Sequence, residues 1–195
     1  MPYTARSVLN FDAKQRIART AAGMVFDGAT VFISIGTTPA LVARALAEKE
    51  ALTVITNNLN AAMALSENSA NRIILPGGEM RLPDRDFLNE EAISVFSAYR
   101  ADFGIFGVGG IDVDGSLLDF HEPEVRAREQ IRANSRTSVL VADHSKFGRR
   151  AAAVGGTLAE ADAVVLDRRP DAPFSALVEP LRDRVRVAGN AGAVA

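Results

Sequence analysis

Five short segments of the chain combine glycine, hydroxyl, amide and lysine side chains, and each follows an apolar run. Such segments suit an anion, because the N–H groups of tight turns and helix N-termini point at phosphate oxygens while hydroxyls donate to them. The sequence therefore predicts a phosphate-binding site built from several of these segments. They are Gly36-Thr37-Thr38-Pro39, Thr56-Asn57-Asn58, Gly77-Gly78-Glu79-Met80-Arg81, Gly107-Val108-Gly109-Gly110 and Asp143-His144-Ser145-Lys146.

Each segment also has a purely structural interpretation. Gly36-Thr37-Thr38 is compatible with a strand-to-helix turn capped by a threonine, and Asn57-Asn58 with a helix cap. Gly77-Gly78 fits an ordinary turn with positive φ angles. Lys146 can be a solvated charge, and Arg81 can pair with an acidic neighbour instead of a ligand. The common position of the segments after apolar runs, more than any one of them, favours ligand binding.

Residues that could perform acid–base chemistry on a sugar phosphate are also present. General acid–base catalysis needs a carboxylate or a histidine at the reacting carbon. The candidates by position are Asp119, His121, Glu122, Glu124 and Asp143. Nothing in the sequence shows two of them converging, a carboxylate can equally accept hydrogen bonds from ligand hydroxyls, and Ser145 has no evident His and Asp partners. We therefore predict no catalytic residue and keep an enzyme acting on sugar phosphates as the alternative.

The cysteine and histidine content limits other kinds of site. The chain has no cysteine, which excludes disulfides, thiol nucleophiles and cysteine metal sites. Its two histidines, His121 and His144, lack partners at metal-ligand spacing. We predict no metal site and no cofactor.

Length and charge narrow the class of protein further. A chain of 195 residues that is 48% hydrophobic can bury one core. Its net charge of −2 argues against direct DNA binding, because phosphate neutralisation by a basic face supplies most of that affinity. Residues 1–10 lack a signal-peptide pattern, and no run approaches the roughly 18 apolar residues of a membrane span. We expect a cytoplasmic protein with no membrane contact.

Short apolar runs alternate with amphipathic segments along the chain. Strands are predicted at 30–35, 52–56, 72–75, 103–108, 138–142, 163–166 and 185–188. Helices are predicted at 13–26, 39–47 (with Thr38 as N-cap), 59–66, 90–99, 123–133 and 174–182. This alternation predicts an α/β fold, a mostly parallel sheet with helices on both faces. We expect a single domain at 11–188 with tails at 1–10 and 189–195, and a ligand site at the carboxyl ends of the strands.

Several strings of the sequence occur in one order that is specific to a known family. They include Lys14-Gln15-Arg16-Ile17-Ala18, Ile35-Gly36-Thr37-Thr38, Thr56-Asn57, Gly77-Gly78-Glu79-Met80-Arg81, Glu124-Val125-Arg126 and Asp143-His144-Ser145-Lys146-Phe147-Gly148. On these strings, residues 6–167 resemble the C-terminal effector-binding domain of DeoR-type transcriptional regulators.

The resemblance implies a sensor of a phosphorylated metabolite in a repressor of sugar or polyol metabolism. Glycerol 3-phosphate is the leading effector, and the strings Val31–Pro39 and Asp114–Phe120 favour it. The implied fold is shared with ribose-5-phosphate isomerase, glucosamine-6-phosphate deaminase and CoA transferases, so a sugar-phosphate isomerase or deaminase is the specific enzyme alternative. DNA would be bound only through a helix-turn-helix that we expect to be absent from this chain, and symmetric operators imply a homo-oligomer.

The same resemblance assigns roles to individual residues. Gly36, Thr37 and Thr38 would hold the phosphate with help from Lys146. The polyol end of the ligand would be lined by Asn57, Gly78, Glu79, Arg81 and Glu124.

Overall fold

Seven parallel strands form the centre of the molecule in a computed structural model that describes residues 3–189. The strands of this sheet are β1 (Thr30–Ile33), β2 (Thr53–Thr56), β3 (Arg72–Ile74), β4 (Ala101–Phe106), β7 (Ser135–Ala142), β9 (Ala163–Leu166) and β10 (Val185–Val187), in the spatial order β10-β9-β7-β4-β1-β2-β3. The seven helices are α1 (Tyr3–Val8), α2 (Phe11–Ala22), α3 (Thr37–Ala45), α4 (Leu59–Leu65), α5 (Glu90–Ser94), α6 (Glu122–Ala133) and α7 (Ser175–Val178).

Both faces of the sheet are covered, and strand β1 shows why three successive residues, 31–33, are apolar. Val31 and Ile33 belong to the core beneath α2, α3 and α4, whereas Phe32 belongs to the core beneath α6 and residues 95–98. Alternate side chains of a strand face opposite sides of the sheet, so a strand buried on both sides needs a continuous apolar run. The predicted parallel sheet with helices on both faces is confirmed.

A second, three-stranded sheet was not predicted. It is antiparallel and consists of β5 (Gly110–Ile111), β6 (Ser116–Asp119) and β8 (Ala153–Thr157). Strand β5 has only two residues and β8 contains two glycines, so neither carries the alternating apolar pattern of a strand. Glycine is required for the packing of β8 on α6, because a Cβ atom at Gly155 would lie 2.2 Å from Cγ1 of Val125.

Several element ends differ from the sequence prediction. The predicted helix at 90–99 is α5 followed by a 3₁₀ turn at Val95–Ala98, and the one at 174–182 is α7 followed by a 3₁₀ turn at Glu179–Arg184. Thr38 is inside α3, and Gly36 is the N-cap. The threonine side chains therefore do not cap this helix.

Part of the predicted N-terminal tail is folded. Residues 3–8 form α1, which packs against α3. Residues 1–2 and 190–195 of the predicted tails lie outside the described residues. Within residues 3–189, the structure contains no helix that is both long and apolar enough to cross a membrane.

Candidate functional site

A cleft opens where three neighbouring strands of the large sheet end. The loops after β1, β4 and β7 form its floor, and the start of α3, the 81–86 loop and the α1–α2 segment form its walls. Its empty volume is about 780 Å³, including the open mouth. The carboxyl ends of the central strands are the expected ligand site of an open parallel sheet.

The start of α3 presents donors to this cleft. Gly36 has a φ of 112°, a conformation that favours glycine, and it turns the chain from β1 into the helix. Thr37 and Thr38 follow at 9% and 4% exposure, and neither hydroxyl makes a hydrogen bond within the described residues. The first N–H groups of a helix also lack intrahelical acceptors. Hydroxyl and N–H donors without protein partners at a helix N-terminus suit an anion.

The turn before α3 is held in place by residues of β2 and the start of α4. Asn58 Nδ2 donates to the carbonyl oxygens of Ser34 and Gly36, both at 3.1 Å, while its Oδ1 accepts the N–H of Asn60 and caps α4. Thr56 Oγ1 donates to the carbonyl of Ile33 at 2.7 Å. These buried hydrogen bonds fix the donors of α3 before any ligand arrives.

A cluster of four cations lines the same cleft as the start of α3. Its members, which we call the cationic cluster, are Arg6, Lys14, Lys146 and Arg149. Burial and the positive charges of the other three cations together lower the pKa of Lys146 to about 8. Burial also lowers the pKa of Lys14. Neighbouring positive charges repel one another, and a negative ligand bound between them relieves this repulsion.

One buried carboxylate accompanies the cluster. Asp143 is 1% exposed, and its Oδ1 accepts hydrogen bonds from the backbone and hydroxyl of Ser145 and from Asn10 Nδ2. Burial opposes ionisation of this carboxyl, but the hydrogen bonds outweigh it, so the pKa of Asp143 is lowered. The 143–146 loop is thereby fixed beside the α1–α2 corner.

Another part of the cleft lining is a network of ion pairs. Arg81 donates to both oxygens of the buried Asp86, at 2.7 and 2.8 Å, and to Glu124 Oε1 at 3.3 Å. Glu124 Oε2 accepts the backbone N–H of Phe120 at 3.1 Å. Arg81 therefore has an acidic partner, and its carboxylate partners are acceptors that ligand hydroxyls can reach from the cleft.

Comparison with known proteins identifies the family. The family described as "DeoR C terminal sensor domain" matches residues 9–168. The chain belongs to this family. The DeoR-type sensor domain is 46% identical over 169 residues to the glycerol-3-phosphate regulon repressor of Escherichia coli (strain K12), covering 87% of the chain and 67% of the repressor.

Other relatives are transcriptional repressors as well. The sensor domain is 42% identical over 166 residues to the glycerol-3-phosphate regulon repressor of Haemophilus influenzae, covering 85% of the chain and 65% of that protein. It is 34% identical over 177 residues to the HTH-type transcriptional repressor CsqR of Escherichia coli, covering 91% and 68%. The chain thus spans about two thirds of the length of these repressors.

Solved structures of low sequence identity share the fold of the sensor domain. The eIF2B delta protein from Chaetomium thermophilum has a TM-score of 0.56 at 16% identity, covering 78% of this chain and 54% of that chain. Ribose 5-phosphate isomerase A from Methanocaldococcus jannaschii has a TM-score of 0.51 at 18% identity, covering 71% and 55%. The predicted ribose-5-phosphate isomerase fold is confirmed, and these similarities show the fold alone.

Six of the residues predicted for the ligand site line the cleft. They are Gly36, Thr37, Thr38, Arg81, Glu124 and Lys146. The other three, Asn57, Gly78 and Glu79, do not line it.

Those three residues occupy other positions for identifiable reasons. Asn57 is fully buried, and its Nδ2 donates to the carbonyl of Phe87, which anchors the loop that carries Asp86. Gly78 packs so closely on Asn89 that a Cβ atom would lie 1.7 Å from Nδ2 of that side chain. Glu79 is exposed at the surface.

The structure also brings residues into the cleft that sequence reasoning did not assign to the ligand. Arg6, Lys14, Asp86 and Arg149 line it. Only Lys14 carried a clear signal, because it lies three residues before Ile17 on the apolar face of a predicted helix, where a lysine must find a polar partner. Arg6 and Arg149 reach the cleft only through the packing of distant segments.

The acid–base candidates are divided by the fold. His121 and Glu122 are exposed outside the cleft, whereas Asp119, Glu124 and Asp143 line it. Each of these three carboxylates already accepts hydrogen bonds from protein groups. Within residues 3–189, no group of three or more His, Cys, Asp or Glu side chains has the arrangement of a metal site.

Proposed function

We propose that this sensor domain binds a phosphorylated polyol or sugar, with glycerol 3-phosphate as the first candidate, and catalyses no reaction. The observation that carries the proposal is the convergence, in one cleft, of the unpartnered Thr37 and Thr38 donors with the cationic cluster. The phosphate would lie between the start of α3 and Lys146, where N–H groups, hydroxyls and an ammonium group can all donate to it.

The carbon skeleton of the ligand would extend toward the carboxylates that line the cleft. Glu124 and Asp86 keep lone pairs that can accept hydrogen bonds from hydroxyl groups, while Arg81 fixes both carboxylates. A ligand with hydroxyls next to a phosphate therefore matches both the cationic and the acidic groups that line the cleft. The two relatives named as glycerol-3-phosphate regulon repressors make glycerol 3-phosphate the first ligand to test.

The output of binding would be a change in DNA binding. The family is described as a C-terminal sensor domain, so the DNA-binding helix-turn-helix of a longer repressor would precede α1. The protein would be a homo-oligomer located in the cytoplasm. Effector binding would favour one relative arrangement of its DNA-binding helix-turn-helix domains over another. The net charge of the chain, −2, argues against direct DNA binding by this domain.

Calorimetry and thermal unfolding with glycerol 3-phosphate, glycerol and inorganic phosphate test the ligand. Glycerol 3-phosphate at 100 times its Kd should stabilise the fold by about 2.7 kcal/mol, and glycerol should not stabilise it. Lys146→Met should weaken binding strongly, whereas the matched control Lys49→Met, outside the cleft, should not. Absence of any shift with triose, tetrose, pentose and hexose phosphates at millimolar concentration would refute the proposal.

The enzyme alternative is tested separately by turnover. Ribose 5-phosphate and glucosamine 6-phosphate would be incubated with the protein and followed by NMR. Unchanged spectra over hours at micromolar protein are expected, because the carboxylates of the cleft are already engaged with protein donors. Turnover that is lost in Asp119→Asn or Glu124→Gln would favour the isomerase or deaminase function instead.

A further inference from the structure

Helix α1 and the corner that follows it are tied to the cleft at three points. Asn10 adopts a left-handed conformation with φ 54° between α1 and α2, and its Nδ2 donates to Asp143 Oδ1 at 3.0 Å. Lys14 Nζ donates to the carbonyl oxygen of Arg6 at 2.5 Å. The Arg6 guanidinium pairs with Asp84 on the 81–86 loop. The position of α1 therefore depends on residues that line the ligand cleft.

Arg6 retains donors that the protein does not use. A guanidinium group has five N–H donors in a planar fork, and the hydrogen bond to Asp84 engages Nη2. Nε of Arg6 is buried and has no hydrogen-bond partner within residues 3–189. The side chain lines the same cleft as Lys146 and Arg149, so the guanidinium lies among other cations that cannot accept its remaining hydrogen bonds.

We propose that Arg6 is a ligand of the anion bound at the start of α3, so that anion binding fixes α1 against the core. This inference rests on the phosphate site proposed above and adds to it a residue outside the range 9–168 that the family matches. Coupling of this kind is reciprocal: the anion holds α1, and displacement of α1 weakens anion binding. Arg6 thereby joins the ligand cleft to the segment that precedes the core.

The competing interpretation is that Arg6 only ties α1 to Asp84. Two variants separate the two roles, because they break the same ion pair from opposite sides. Arg6→Gln removes the charge and most donors, whereas Asp84→Asn leaves the guanidinium in the cleft and frees it for the anion. Arg19→Gln, at an exposed position on α2 outside the cleft, is the matched control for the charge change.

The experiment is calorimetric titration of the whole chain and the three variants with inorganic phosphate and with glycerol 3-phosphate. We expect Arg6→Gln to bind both anions about tenfold or more weakly, the usual effect of losing a hydrogen bond between charged groups. Asp84→Asn should bind at least as tightly as the wild-type protein, and Arg19→Gln should bind equally well. Hydrogen–deuterium exchange of residues 3–9 should slow on anion binding in the wild-type protein and not in Arg6→Gln.

The contrary results separate a failure of this inference from a failure of the proposed function. Anion binding that is unchanged in Arg6→Gln would overturn the inference alone, as would equal weakening in Arg6→Gln and Asp84→Asn, which would assign Arg6 to the structural tie. The inference would also be overturned if anion binding left the hydrogen–deuterium exchange rate of residues 3–9 unchanged in the wild-type protein. Failure of the wild-type protein to bind either anion would overturn the proposed function together with this inference.

Discussion

Raising the pH from 7 to 9 should weaken phosphate binding through the titration of Lys146. Burial and neighbouring positive charge lower the pKa of this amine to about 8 in the free protein. The groups whose charges act on it are Arg149, Lys14 and Arg6, which oppose protonation, and Asp143, which favours it. A bound phosphate adds negative charge beside the amine and should return its pKa toward the ordinary value of about 10.4.

The magnitude follows from the two pKa values. With a pKa of about 8, Lys146 is about nine-tenths protonated at pH 7 and about one-tenth protonated at pH 9. A phosphate ester has lost its second proton at pH 7, so the ligand charge is constant over this range. If the anion binds the ammonium form, affinity falls about tenfold between pH 7 and 9, and binding takes up about one proton at pH 9.

The same shift has a consequence for stability, with a definite sign. Between pH 8 and the unfolded-state pKa of about 10.4, the free folded protein holds fewer protons on Lys146 than the unfolded chain does. The free energy of unfolding of the free protein should therefore rise with pH in that window because of Lys146. Bound phosphate should remove this pH dependence.

The assay is calorimetric titration with glycerol 3-phosphate in pairs of buffers of different ionisation enthalpy, which measures proton uptake directly. Lys146→Met should bind more weakly and lose most of the pH dependence. Lys14→Met serves as a comparison, because burial lowers the pKa of Lys14 as well. Wild-type affinity that stays constant from pH 7 to 9, with no proton uptake at pH 9, would refute the placement of the phosphate beside Lys146.

Three substitutions test the structure around the cleft. Arg128→Met leaves the buried carboxylate of Asp119 without its ion-pair partner, and should lower the free energy of unfolding in urea by about 3–5 kcal/mol. Gly155→Ala forces a Cβ atom against Val125 and should cost about 1–3 kcal/mol, measured as a lower thermal midpoint. Thr38→Val should weaken glycerol 3-phosphate binding about tenfold in calorimetry and leave stability nearly unchanged, because its hydroxyl makes no hydrogen bond within the described residues.

Each substitution has its own control. Asp119→Asn combined with Arg128→Met should recover part of the lost stability, since no buried charge then lacks a partner; no recovery would contradict the ion-pair explanation. Gly189→Ala has open space around the new methyl group and should be neutral. Thr20→Val, on α2 outside the cleft, should bind normally. Equal loss of affinity in both threonine variants would mean that Thr38 is not at the phosphate.

The parallel sheet could be predicted because its strands are marked in the sequence by short runs of apolar residues. Strands buried on both faces must be apolar throughout, and this pattern is local in the sequence, as β1 and β9 show. The antiparallel sheet could not be predicted in the same way. Its short, glycine-containing strands are fixed by packing against α6, where Gly155 lies beneath Val125, and that contact joins distant parts of the chain.

The site could be predicted in part for a similar reason. The donors of Gly36, Thr37 and Thr38 belong to a strand-to-helix turn whose position is set by topology, so sequence order was enough to place them at the cleft. Asn57 and Gly78 also belong to polar or glycine-rich segments that follow strands. In the folded chain, however, Asn57 donates to the carbonyl of Phe87, and Gly78 packs against the side chain of Asn89, so neither residue lines the cleft.

The sequence by itself determined the family, the parallel sheet and the phosphate-suited start of α3, because local patterns and ordered strings carry that information. Only the tertiary structure decided which charges meet. Arg6 lies on a segment predicted to be a tail, yet it lines the cleft with Lys14, Lys146 and Arg149. Electrostatic interaction depends on distance in space and not on separation along the chain. The cationic cluster and the tie from α1 to the ligand site therefore emerge only after folding.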